Sequence, residues 1–193
     1  MKTNKHKLIF GSIFIVVALI LTLQSAMATT YSGGRGGAKF KAYYTNSVSS
    51  YGYTPHFDAA RANWNATSSK VDITTQSNEN NYPDKYYVGV ADSEPGYCYL
   101  GQLTPWKSAG GTIMQAGLSD LWLYSTVTIY HNGMEDCDMN YNQRVSNATH
   151  EVGHSLSMAH PSGTTVSSVM HQGIQSIGPS TYDKNEIIAK WGP

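Results

Sequence analysis

The sequence predicts a layered α+β (α/β) fold. Short segments that alternate apolar and polar residues read as strands, longer stretches with helical periodicity fall between and after them, and a capped helical segment closes the chain. No internal repeat is present, and the roughly 165 residues beyond the leader suffice for one domain with an adequate core.

In chain order, residues 1–28 read as a secretory signal peptide. Lys2, Lys5 and Lys7 precede an apolar run from Leu8 to Leu23, and Ala26-Met27-Ala28 supplies a small-residue cleavage site after Ala28. The run falls short of the roughly 20 apolar residues a membrane span needs, so a secreted, extracellular protein with no membrane association after cleavage is expected. Residues 29–38 are read as a flexible Gly-rich segment, with Ser32–Gly37 (SGGRGG) as the spacer, and residues 39–193 as the folded domain.

Lys39–Thr45 alternates and is predicted as a strand. Thr54–Thr67 is predicted as a helix: Phe57, Ala60 and Trp64 share one face, Thr54 is the expected N-cap and Pro55 the first helical residue. Lys70–Thr75 and Tyr86–Ala91 follow as strands around an Asn-rich loop at Gln76–Asp84. Gly96–Leu103 is a candidate edge strand, with a Gly-containing loop at Ser108–Gly111, and Ser125–His131 is the last predicted strand. A long helix is expected over Asn142–Ser157. A closing helix is expected over Ser180–Gly192, with Ser180 and Asp183 as its capping box and Gly192 as its stop.

Lys plus Arg (13) balances Asp plus Glu (13), and loss of the three leader lysines leaves the mature chain near minus three. The absence of any Lys/Arg cluster argues against a nucleic-acid partner, and nothing signals an oligomer, so a monomer is expected. The only two cysteines, Cys98 and Cys137, are expected to form one disulfide in an oxidising compartment. The alternative, a thiolate that caps a metal in a latent form, belongs in an N-terminal prosegment, which neither cysteine occupies.

The chemistry concentrates in Ala148–Pro161, ATHEVGHSLSMAHP. At 100 degrees per residue, Val145, Ala148, Val152 and Leu156 form a narrow apolar stripe, and His150 and His154 lie almost opposite it. Imidazoles at i and i+4 stack about 6 Å apart, close enough to share one ion. His160, six residues further on, points away from that pair on a straight helix, so the chain must break after about Leu156 to bring it back. Three neutral imidazoles with an open fourth position describe a catalytic zinc site (Zn2+). Glu151 is then placed as the general base that takes a proton from metal-activated water and passes it to a leaving amine.

HEVGHSLSMAH resembles the extended HExxHxxGxxH zinc motif of the metzincin metallopeptidases, and Ser168-Val169-Met170-His171 resembles their Met-turn, with Met170 beneath the zinc ligands. By motif the resemblance covers Asn142–Met170, nearest to a small bacterial-type matrixin-like enzyme. It implies a metzincin-like zincin fold with a twisted mixed five-stranded sheet, an active-site helix and a C-terminal helix. It also implies His150, His154 and His160 as zinc ligands, and a protein or peptide substrate bound extended along an edge strand, for which Gly96–Leu103 is the candidate. Residues 171–178 would line the pocket for the residue after the scissile bond. Three positions depart from the family: Ser157 stands where the clan has a glycine, Gln172 where astacins carry a tyrosine, and no cysteine precedes the first strand. A left-handed Ser157 costs about 1 kcal/mol.

Other polar residues read more blandly. His171 is expected at a rim, and His131 and His56 as structural or solvated side chains. Glu135, Asp136 and Asp138 form an acidic loop in preference to a calcium site, because EF-hand spacing is lacking. Glu186, as a carboxylate third ligand, is far less well spaced than His160. Asn65-Ala66-Thr67 and Asn147-Ala148-Thr149 match glycan acceptors but fall on expected helices. The expected activity is that of a secreted zinc metalloendopeptidase. The rival is a non-proteolytic zinc-binding adhesin or binding module on the same scaffold.

Overall fold

The computed structural model describes residues 29–92, 97–163 and 165–193. The signal-peptide reading and Gly96 therefore lie outside the described residues. In order, the elements are β1 (Gly34–Arg35), β2 (Lys39–Tyr44), α1 (Asn46–Ser50), α2 (Thr54–Asn65), β3 (Asp72–Gln76), β4 (Asp84–Gly89), β5 (Gly101–Ala109), β6 (Thr112–Gln115), β7 (Leu121–Trp122), β8 (Tyr124–Tyr130), α3 (His131–Asp136), α4 (Tyr141–Ser155) and α5 (Thr181–Trp191). No helix among the described residues is long and apolar enough to cross a membrane.

The fold is a mixed α/β arrangement around a six-stranded sheet in the order β3-β2-β4-β8-β5-β6. The sheet therefore has one strand more than the five expected. The first four strands of that order are parallel, and β5 and β6 are antiparallel to their neighbours. The extra strand arises where a loop was expected at Ser108–Gly111. Ser108 and Ala109 belong to β5, and Gly110 and Gly111, both at positive φ, make a two-residue hairpin turn into β6.

Only one face of the sheet carries the core. Phe40, Ala42, Ile73, Tyr86, Val88, Val127 and Ile129 point into a cluster with Phe57, Ala60 and Trp64 of α2 and Ala148 and Val152 of α4. Full burial of residues such as Phe57 and Trp64 contributes on the order of 1.5–3 kcal/mol each. The other face holds half-buried Tyr87, Tyr124, Thr126, Thr128 and Tyr130, and this produces the alternation seen in the sequence. In α2 the cap is Tyr53, without a side-chain bond, and Thr54 is already helical.

The expected spacer at 29–38 is instead a bound strap. Gly34 and Arg35 pair in parallel with Leu121 and Trp122, and Arg35 forms an ion pair with the fully buried Asp84, which also accepts from the Ser125 backbone N–H. Thr30 bridges to Met158, and the flanking backbone bonds are Tyr31 N to Ser157 O at 2.8 Å and Ala159 N to Thr29 O at 2.7 Å. Two of its glycines mark close packing, since a Cβ on Gly33 would meet Asp120 O at 2.2 Å and one on Gly34 would meet Ser157 Oγ at 1.8 Å, whereas Gly36 and Gly37 have open space.

Candidate metal centre

The site is built on α4 and the turn that follows it. Asn140 caps the helix: its side chain accepts from Gln143 N, and the Gln143 side chain accepts from Asn140 N. The helix is buried over most of Ser146–Ser155, between α2 and the β8–β5 side of the sheet, rather than along a single stripe. Polar members of that run are satisfied internally. Trp64 Nε1 donates to Thr149 O at 2.7 Å, and Ser125 Oγ meets Ser155 Oγ at 2.9 Å.

The helix stops as the motif requires. Ser157 has φ 65, with Ser157 N bonded to His154 O and Met158 N to Gly153 O. Those two bonds and one left-handed residue make a Schellman ending, with serine in the place usually taken by glycine. The departure at Ser157 thus leaves the turn geometry intact at the cost of left-handed strain, and His160 folds back over the helix.

The three rings converge. His154 Nε2 lies 3.1 Å from His150 Nε2, which lies 3.1 Å from His160 Nε2. His150 Nδ1 donates to Val169 O at 2.9 Å and His154 Nδ1 to Met158 O at 2.8 Å. With their protons on Nδ1, His150 and His154 turn bare Nε2 lone pairs toward each other. Two lone pairs at that distance repel unless a cation lies between them. Nitrogens about 2.0–2.1 Å from a tetrahedral zinc stand about 3.4 Å apart, near the spacing observed. The donor set and its orientation therefore fit a zinc ion. Burial lowers the pKa of all three: His150 falls to about 4, His154 goes well below the ordinary value, and His160 is lowered with His171 adding to the effect. Neutral imidazoles are the metal-binding form.

Beneath the rings, residues 168–171 form a tight turn closed by His171 N to Ser168 O. Asp183 of α5 holds it: Val169 N donates to Asp183 Oδ2 at 3.0 Å, and Ser168 Oγ donates to Asp183 Oδ1. The same carboxylate accepts from Ser180 N and so caps α5. Met170 is fully buried under α4 at Gly153, where a Cβ would meet Met170 Sδ at 2.5 Å. This turn also supplies the Val169 carbonyl that orients His150, so the methionine segment sets the tautomer of one of the three converging histidines.

Glu151 is buried at 5 % exposure, and burial pushes its pKa up to about 8. The start of β5 crosses directly over it, where a Cβ on Gly101 would come 2.5 Å from Glu151 Oε1. Glu151 and the three histidines line a cleft of about 680 Å³, together with Tyr31, Tyr99, Leu103, Gln172 and Ile174 among others. Sequence reasoning missed Gly101 and Tyr31. Gly101 offered only a glycine in a strand, a cue to close approach. Tyr31 lay in the supposed spacer; burial and the nearby Glu151 carboxylate raise its pKa to about 12.

The candidate edge strand needs correcting. Residues 97–100 are not strand, and β5 is central in the sheet order. Its ladder to β8 runs over Gly101–Trp106, however, while β6 pairs only with Trp106–Ala109. Gly101–Thr104 therefore keeps one edge unpaired among the described residues, on the side of the cleft. Cys98 and Cys137 are disulfide-bonded, with Cα atoms 5.9 Å apart, tying the cleft wall at Tyr97–Leu100 to the end of α3.

The remaining polar residues named from the sequence lie outside the three-histidine group. Glu135 and Asp136 lie in α3 rather than a loop, and Glu135 pairs with Arg144 at 2.6 Å. No acidic metal cluster occurs there among the described residues; the three-histidine group is the cluster found. Glu186 accepts from Thr29 N at 3.0 Å and is not part of the cluster. His171 Nε2 donates to Val166 O, His131 meets Tyr53 Oη at 3.0 Å, and His56 is buried beside Tyr53 and Tyr141. Asn65 bonds both backbone groups of Ile73, and Asn147 donates to Leu100 O, so both acceptor asparagines serve the interior.

No protein-family model matches this chain, and no curated protein matches it either. The functional reading therefore rests on the site's own chemistry.

Proposed function

We propose that the protein is a secreted zinc-dependent endopeptidase, metzincin-like and nearest to a small matrixin-like enzyme. The observation that carries this reading is the convergence of three neutral Nε2 atoms beside the carboxylate of Glu151, on one wall of an open cleft. The motif HEVGHSLSMAH and the buried turn at Met170 support the finer family assignment. The leader sequence and the disulfide support export.

His150, His154 and His160 would hold the zinc, which when bound supplies a Lewis acid that polarises the scissile carbonyl and acidifies water. Glu151 is the proton carrier. Its ionised carboxylate, the form that a nearby metal cation favours, would take a proton from the attacking water and return it to the leaving amine. An extended peptide would add to the free edge of Gly101–Thr104, with Gln172–Ile174 across the cleft beside the residue after the scissile bond.

The test replaces Glu151 with Gln. The variant should bind one zinc per chain as the parent does, while cleavage of a denatured protein falls about 10²–10⁴-fold; a chelator should abolish the parent's cleavage. Undiminished cleavage by the variant would remove Glu151 from the mechanism. Zinc binding by a parent that never cleaves would favour the adhesin reading.

A further inference from the structure

The strap at residues 29–35 does more for the site than fill a gap. Its Tyr31 ring lies over the His154 ring, with centroids 5.9 Å apart and planes 25° apart, and its Oη is 3.1 Å from His154 Nδ1. The Nδ1 proton already points to Met158 O, so the tyrosine oxygen is a second acceptor for one N–H. His154 is thus gripped at its outer nitrogen from two directions.

The strap itself is clasped by one stripe of α5. Tyr182, Glu186 and Lys190 are four residues apart and share a face. Tyr182 Oη meets Thr29 Oγ1, Glu186 accepts from Thr29 N, and Lys190 Nζ donates to Tyr31 O at 2.9 Å and Gly33 O at 3.3 Å. Adjacent positions on the same helix, Asp183 and Ile187, serve the Met170 turn and the core. One helix therefore fixes His150 through the Val169 turn and His154 through Tyr31.

We propose that Tyr31 is a positioning residue for the metal centre: its hydroxyl oxygen fixes the tautomer and ring plane of His154, and the Tyr182–Glu186–Lys190 stripe holds it there. The proposal rests on the zinc reading above but concerns affinity rather than turnover. An acceptor on Nδ1–H keeps Nε2 bare and makes it more basic, and loss of such a partner weakens metal binding about 10–100-fold.

The experiment measures zinc affinity by chelator competition in the mature protein, with Tyr31→Phe and Lys190→Met beside the parent, and records the metal-free Tm of each. Tyr31→Phe keeps the ring and loses only the acceptor. It should weaken zinc binding about 10-fold or more while the metal-free Tm stays at the parent's value. Lys190→Met should weaken zinc binding in the same direction, because it frees the backbone that carries Tyr31. Parent-like zinc affinity in Tyr31→Phe overturns the proposal, as does an affinity loss matched by a collapse of the metal-free Tm. A parent that binds zinc without cleaving peptides refutes the peptidase reading and leaves this comparison to decide the role of Tyr31.

Discussion

His150 and His154 on one side, and His160 on the other, reach the same point in space by different physics. The first two ride on a buried helix, and each has its Nδ1 tied to a carbonyl, Val169 O or Met158 O. His160 is exposed, lies beyond the helix, and makes only its contact with His150 among the hydrogen bonds of the described residues. Two of the proposed ligands are preorganised by secondary structure and the third is delivered by a turn. In the zinc reading the rigid pair would set where the metal sits, and His160 would complete the coordination.

The largest effect that probes this contrast comes from removing ligands singly. Replacement of His154 or His160 by Ala should weaken zinc binding by more than the roughly 10–100-fold that loss of an orienting partner costs. The metal-free proteins should differ. His154→Ala empties a buried position that is 5 % exposed and lowers the Tm, whereas His160→Ala leaves it near the parent's. Equal losses of metal-free stability, read by thermal unfolding, would erase the distinction.

A smaller effect separates the buried pair from Glu151 through pH. The folded pKa values of His150 and His154 lie below the ordinary 6.5, His150 at about 4, so the stability they support is present above 6.5 and is lost as pH falls toward 4. Glu151 is raised from 4.5 to about 8, so its contribution is present below 4.5 and is lost as pH rises through 8. Between 4.5 and 6.5 the histidine protons taken up on unfolding outnumber the one glutamate proton released, so metal-free stability rises with pH. Metal-free stability should therefore peak near about pH 6.5. Glu151→Gln should steepen the acid side and remove the decline between 6.5 and 8. Denaturant unfolding across pH measures both, and an unchanged profile in the variant would contradict the assignment.

The smallest effect concerns the turn that delivers His160. Ser157 is left-handed and its buried Oγ has no hydrogen-bond partner among the described residues, so Ser157→Gly should stabilise the protein by about 1 kcal/mol and raise Tm by about 2–4 °C with zinc affinity retained. A fall in Tm would mean that packing of the Ser157 side chain against Gly34 outweighs backbone strain.

The same contrast explains what was legible in the sequence. Glu151, His150 and His154 sit on one helix, so helical spacing alone places them together, and His160 follows from the need for a break. Strands β2, β4 and β8 alternate because, among the described residues, one face of the sheet carries the core and the other does not. The hairpin strand β6, the short α3 around Gly133, and β1 with β7 carry no such period, and their pairing depends on tertiary contacts. Tyr31 and Gly101 were missed for that reason. Nothing local to Tyr31 announces that α5 holds the strap, and the glycine at Gly101 hints at a close approach without naming Glu151 as what it approaches. Composition suggested flexibility where close packing requires glycine at Gly33 and Gly34.

The most direct test of the centre is a zinc-edge X-ray absorption spectrum of the zinc-loaded mature protein, with His160→Ala beside it. Three imidazole nitrogens and one oxygen neighbour at about 2.0–2.1 Å are expected in the parent, with one imidazole fewer in the variant. A sulfur shell near 2.3 Å, or an identical imidazole count in the two proteins, would contradict the three-histidine centre.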